Sequence, residues 1–185
     1  MVKTETPIGN FGDEAPDFKL KGVDGRYWSR DGCAGPAGLL VMFICNHCPY
    51  VKAINHKLVR DTADLAELGV NSVAIMSNDP TDYPEDSFEN MQAVARKMKY
   101  PFPYLIDESQ ETAREYGAVC TPDFFGYDRN LKLRYRGRLD ASGRSADQEG
   151  VERELFLAMK QVAETGRGPE HQIPSIGCSI KWRDF

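Results

Sequence analysis

The sequence predicts an α/β fold: a central mixed sheet with helices on both faces, an early β-hairpin and a helix-bearing insertion. Three observations lead there. Apolar runs of strand length ("LLVMFI", "NSVAIMSN", "FPYLID") alternate with stretches of helical periodicity, the pattern of a partly parallel sheet covered on both sides. Two further strand pairs flank that region, each around a turn dipeptide. The chain has 185 residues, 41% hydrophobic and 28% charged, which suits one domain whose core needs no disulfide staples. That domain is expected to span 1–185, with a core over about 13–165 and a tail, 167–185, docking on it.

Each element has a local reason. "APDFKLKGVDGRYWS" reads as two strands around Asp24-Gly25. "LLVMFI" is apolar throughout, as a strand buried on both faces must be. From Pro49 onward Val51, Ile54, Leu58, Leu65 and Leu68 recur at helical spacing, and Gly69 is the stop. "NSVAIMSN" is a second buried strand. "DYPEDSFENMQAVARKMK" carries acids first and bases last, matching a helix dipole, with Phe88, Met91, Ala95 and Met98 on one face. After the strand "FPYLID", Asp107 and Gln110 predict a capping box for a helix ending at Gly117. "DFFGYD" and "LKLRYRGR" predict a hairpin around Arg129-Asn130. A last helix is expected from near Asp147 to Gly166, and the tail has no helical pattern.

Charge and cysteine usage exclude some function classes. A net charge of -5 argues against nucleic acid or an anionic membrane as partner. The N-terminus lacks an apolar signal segment, and "AGLLVMFIC" is too short to span a bilayer, so a cytoplasmic protein is expected. Five cysteines are too few for a disulfide scaffold, and the odd number leaves at least one unpaired.

The chemistry-bearing stretch is "FICNHCPYV". Pro49 is tolerated only in the first turn of the following helix, so Cys45 and Cys48 should sit at a helix N-terminus within disulfide reach. Free N–H groups and the positive dipole end stabilise a thiolate there. Cys45 is expected to be the exposed nucleophile and Cys48 the shielded resolving thiol, with His47 as a charge beside the pair or a solvent-facing residue.

A strand, a Cys-x-x-Cys at a helix start and a later Thr121-Pro122 before a hairpin resemble the thioredoxin superfamily. The early hairpin and the insertion "NDPTDYPEDSFENMQAVARKMKYPFPY" resemble its peroxiredoxin-like (AhpC/TSA-like) and TlpA-like redoxin branch, over roughly residues 13 to 165. The resemblance implies a cis proline at Pro122 facing the cysteines. It also implies a substrate groove shaped by Thr121 and Pro122 with His47 nearby, and thiol–disulfide exchange through Cys45 and Cys48. No cofactor or metal beyond the dithiol is implied. The implied partners are protein or small-molecule disulfides and a cellular thiol reductant, with no nucleic acid and no membrane. The chain departs from thioredoxins at Leu39 and Ile44, where they carry a buried aspartate and a tryptophan.

Three rivals are weighed against that reading. A peroxiredoxin has Thr three residues and Pro seven residues before its peroxidatic cysteine. Cys48 is preceded there by Cys45 and Val41, and Cys45 by Met42 and Gly38. Arg134, Arg136 and Arg138 alternate on one strand and offer a guanidinium, although such alternation usually marks a solvated face. A zinc module would complete Cys45 and Cys48 with Cys120, Cys178 or a histidine, but no second close pair exists, and His56 and His171 look solvent-facing. A non-catalytic binding protein on the same fold leaves the dithiol unexplained. Haem attachment needs histidine at position 49, which is proline. Cys120 and Cys178 form a candidate second thiol pair, the alternative being two small buried hydrophobes.

Overall fold

The computed structural model describes residues 2–145 and 148–184. Its strands are β1 (Lys3–Glu5), β2 (Lys19–Gly22), β3 (Tyr27–Ser29), β4 (Gly38–Phe43), β5 (Val70–Met76), β6 (Tyr104–Ile106), β7 (Cys120–Thr121), β8 (Asp123–Asp128), β9 (Leu133–Tyr135) and β10 (Ile176–Ser179). The helices are α1 (Arg30–Cys33), α2 (Pro49–Glu67), α3 (Phe88–Met98), α4 (Glu111–Tyr116) and α5 (Glu154–Thr165). Among the described residues no helix is long and apolar enough to cross a membrane.

Seven strands form the central sheet in the order β3-β2-β6-β5-β4-β8-β9. The β4, β5 and β6 neighbours are parallel, and the flanking pairs are antiparallel. Because a strand's side chains alternate, β4 feeds two cores at once. Leu40 and Met42, with Ile44 just beyond the strand, face α2, α3 and α5, packing with Ile54, Met91 and Met159. Leu39, Val41 and Phe43 face α1 and α4, packing with Cys33, Ala113 and Tyr116. That two-sided burial is why the run carries no polar residue. It also fixes the end of β4, and so the site, against both layers.

The local readings diverge from the structure at several points. The last helix starts at Glu154, where Leu155 is the first residue of the run to reach the core. Asp147 lies outside the described residues. The capping box near Asp107 is half formed. Asp107 accepts the Thr112 and Ala113 N–H groups, but Gln110 spends its amide on the carbonyls of Ser77 and Lys181. Of the acids of "DYPEDS", Glu85 and Asp86 lie in a separate 3-10 turn, Pro84–Asp86, and α3 begins only after Ser87 caps it. The arginine stripe is not a solvated face. Arg136 is buried on Asp123 at 3.1 Å, Arg134 holds Asp128 at 2.7 Å, and Arg138 holds Glu154 at 2.7 Å.

The tail contains an unpredicted strand. β10 lies between β1 and β7, with Cys178 opposite Thr121 and Lys3, and Ser179 opposite Cys120. Gly177 is required there, because a Cβ would run into the Thr121 carbonyl. Of the apolar tail residues, Ile180 is buried, while Ile173 and Trp182 stay largely exposed.

Candidate active site: a three-thiol cluster at the start of a helix

The chain leaves the sheet after Ile44, whose N–H still bonds to the Ile75 carbonyl at 3.1 Å. Cys45, Asn46 and His47 bridge to Cys48, which is the N-cap of α2, with Pro49 in the first turn. The bridge is held from below by one carboxylate. Asp86 Oδ1 accepts the Asn46 and His47 backbone N–H groups at 2.7 and 3.1 Å. Its Oδ2 meets His47 Nδ1 at 2.5 Å and the Asn78 amide at 3.0 Å. Asn46 is clamped in turn by the Tyr104 hydroxyl at 2.8 Å. Burial opposes ionisation of Asp86, yet these donors, His47 first, hold its carboxyl below the usual carboxylate range.

His47 is therefore not a solvent-facing residue. It is buried between Asp86 and the ring of Tyr83, stacked at 4.4 Å, and its Nε2 has no partner among the described residues. Any positive charge on it faces the Asp86 carboxylate directly, so the pair does not act as an isolated cation beside the thiols.

The thiols converge from three elements. Cys45 Sγ lies 3.3 Å from the Thr121 hydroxyl. Cys48 Sγ lies 3.3 Å from the Thr121 carbonyl and 3.0 Å from Cys178 Sγ. The Thr121-Pro122 peptide is cis. The structure thus brings together Cys45, His47, Cys48, Thr121 and Cys178, with Pro122 adjoining. Cys120 is turned elsewhere. It pairs in register with Ser179 while Thr121 pairs with Cys178, and neighbours along a strand point to opposite faces. Its sulfur contacts the Pro122 carbonyl instead, so Cys120 is not the partner of Cys178.

Exposure corrects the expected roles. Cys45 is 2% exposed and Cys48 0%, so neither sulfur is open to solvent. Hydrogen bonding from Cys45 pulls the Cys48 thiol down to about 4; burial opposes this, and Cys178, the Val51 N–H and Thr121 assist. Burial pushes Cys45 well up, and its hydrogen bond to Cys48 and the Asp86 charge add to this. Burial pushes Cys178 up to about 12, and its bond to Cys48 works in the same direction. The cluster thus favours charge on Cys48, the helix-capping sulfur, over Cys45.

Beside the cluster a cavity of about 150 Å³ is lined by Pro122, Tyr50, Phe124, Ile173, Pro174 and Ile176, among others. Its apolar walls suit the side chains of a docked peptide. Cys45, His47 and Asp86 also bring ligand-type atoms within 4.8 Å of one another. A cation there would have to displace the His47–Asp86 bond, because Asp86 already accepts four N–H groups.

Residues 11–136 match the AhpC/TSA family, described by that name. The chain belongs to the AhpC/TSA family. Among solved structures it is similar to an uncharacterized conserved protein from Geobacillus kaustophilus. The two are 47% identical over 99% of this chain and 97% of that one, with a TM-score of 0.91. A hypothetical protein from Sinorhizobium meliloti 1021 is 38% identical, over 97% and 98%, with a TM-score of 0.92. The thioredoxin domain of a thiol-disulfide oxidoreductase from Bacteroides vulgatus is 16% identical over 70% of this chain and 89% of that one, with a TM-score of 0.58, and shares the fold. No curated protein matches the chain. Family membership accounts for the thioredoxin-like sheet and the early hairpin, but the match ends before α5 and β10. The third thiol of the site therefore comes from outside the family's matched segment.

Sequence reasoning missed Asp86, Asn46, Tyr83 and Tyr104. Asn46 sits inside the cysteine motif, but no spacing rule connects Asp86, Tyr83 or Tyr104 to it, since those contacts are made across the fold. One signal for Asp86 existed: it is the second acid, after Glu85, in a proline-led turn ahead of Ser87, the residue that caps α3.

Proposed function

We propose that this AhpC/TSA-family chain is a thiol–disulfide oxidoreductase working through Cys45 and Cys48. The observation that carries the reading is the meeting of both thiols at the start of α2 with the hydroxyl and carbonyl of Thr121. In the reduced state Cys48 holds the thiolate and Cys45 the proton. As a substrate disulfide docks, Cys45 gives its proton to the Cys48 thiolate in the same step as it attacks, and the Thr121 hydroxyl steadies the charge developing on Cys45. Cys45 attacks one substrate sulfur, forming a mixed disulfide and expelling the other as thiolate. Cys48 gives its proton to that leaving group and then attacks Cys45 Sγ, so that the second substrate thiolate departs and a Cys45–Cys48 bond remains. Protein or small-molecule disulfides fit as substrates, with the cavity beside Pro122 taking an apolar side chain, and a cellular thiol would reduce the enzyme again.

Trapping tests the order of attack. A Cys48→Ser chain should accumulate mixed disulfides through Cys45, and reduction of a model protein disulfide should need both cysteines. Full activity in a Cys45→Ser chain, or adducts carried by Cys48, would overturn the assignment.

A second reading, a thiol peroxidase, has one observation behind it: the Thr121 hydroxyl lies beside Cys45, offering a hydroxyl that the residues before either cysteine do not supply. Against it, the Arg136 guanidinium is engaged with Asp123 and the Gly117 carbonyl. Peroxide turnover faster than disulfide exchange would favour that reading.

A further inference from the structure

We propose that Cys178 is a third redox thiol, which takes the disulfide from the Cys45–Cys48 pair as a Cys48–Cys178 bond and frees Cys45 while the oxidising equivalent is kept. The inference rests on the dithiol reading above. Cys178 Sγ is already 3.0 Å from Cys48 Sγ, against a bond length of about 2.05 Å, so linkage needs a shift of only about 1 Å. The approach is built rather than incidental. Cys178 is carried by β10, which is held by β1 on one side and β7 on the other. Its register places it opposite Thr121, whose hydroxyl and carbonyl touch Cys45 and Cys48. Beyond the strand, the Lys181 N–H is tied to Asn78 Oδ1, which anchors the tail to the loop that also carries Asp86.

The chemistry balances without an added reagent. The Cys178 thiolate attacks Cys48 Sγ, the Cys45–Cys48 bond breaks as the Cys48–Cys178 bond forms, and Cys45 leaves as a thiolate that takes up the proton Cys178 gave up. One disulfide replaces another and no net electrons move. Cys45 is then free to begin a second exchange.

The test is diamide oxidation of the whole reduced chain, read by thiol count and by mass spectrometry of a non-reduced digest. With Cys45→Ser, four thiols remain; two should be lost, and a Cys48–Cys178 peptide pair should appear from monomeric protein. Cys45→Ala should give the same result, which guards against a folding effect of one substitution. The wild type should yield both Cys45–Cys48 and Cys48–Cys178 pairs. A Cys45 variant that keeps all four thiols, or joins Cys48 to another residue, overturns the relay while leaving the dithiol reading intact. A wild type that never links Cys45 to Cys48 overturns the dithiol reading, and the relay with it.

Discussion

Inside the protein, hydrogen bonding from Cys45, with Cys178 and the Val51 N–H assisting, favours the charged form of Cys48. Its pKa near 4 lies far below the ordinary thiol value of about 8.5. In the reduced protein the unfolded chain therefore binds more protons than the native one between those two values, so native stability rises with pH across that window. The contribution is fully present above about 8.5 and is lost as pH falls through about 4. Above 8.5 the slope reverses, because Cys45 is pushed up and keeps its proton after the unfolded chain has lost it. The oxidised protein has neither effect. Denaturant melts of both redox forms should thus show the reduced form gaining on the oxidised form from about pH 4 to 8.5. Parallel curves would contradict the thiolate on Cys48. The same preference for the reduced thiolate should set the reduction potential less negative than the roughly -270 mV of thioredoxin.

At the scale of elements, the hairpin β8–β9 and the strand β10 position the site. Asp123 opens β8 and meets Arg136 just past β9, both buried, with Asp123 Oδ1 and Arg136 Nε unpartnered among the described residues. Burial pushes the Asp123 carboxyl up to about 6, and Arg136 pulls it back only in part. Here the native state binds more protons than the unfolded chain between about pH 4 and 6, so this pair makes stability fall as pH rises through that range. It does so in both redox forms and cancels from their difference. Arg136→Met should cost about 3–5 kcal/mol at neutral pH by stranding a buried carboxylate, and much less at pH 4, where Asp123 is protonated; urea melts at both pH values would check this. For β10 the sensitive position is Gly177. Gly177→Ala puts a methyl against the Thr121 carbonyl and should destabilise the protein by about 1–3 kcal/mol. It should also prise Cys178 from Cys48, and loss of stability without any change in thiol pairing on oxidation would show that the register is not what brings these sulfurs together.

For the molecule as a whole, the feature that matters is closure. All five cysteines are buried and free, and Cys48 packs directly against Cys178 of the tail strand. A bulky thiol reagent should therefore label the native reduced protein slowly at all five positions, while denaturant should expose five at once. A compact oxidant such as diamide should still reach the cluster. Fast native labelling of Cys45 by the bulky reagent would mean that the closed arrangement is not the resting one. On the proposed function, a disulfide substrate must displace part of this covering to reach Cys45.

Much of this architecture is legible in the chain. The unbroken apolar run of β4 calls for burial on both faces, Pro49 sets the start of α2 directly after the cysteines, and Thr121-Pro122 marks the strand that faces them. These are local rules, in which a residue's own geometry or polarity dictates its neighbourhood. The tail shows where such rules end. "IGCS" has no periodicity long enough to declare a strand, and it becomes one because β1 and β7 each offer it an edge. The sequence by itself therefore determined the fold class, the helix-capping dithiol and its likeness to redoxins. Only the tertiary structure decided that Cys178 meets Cys48 rather than Cys120, that His47 is buried on Asp86, and that the hydrogen bonds around Cys48 favour its charged form over that of Cys45. The reason is physical: pairing register, burial and hydrogen-bond supply are set by residues tens of positions away, and no local spacing encodes them.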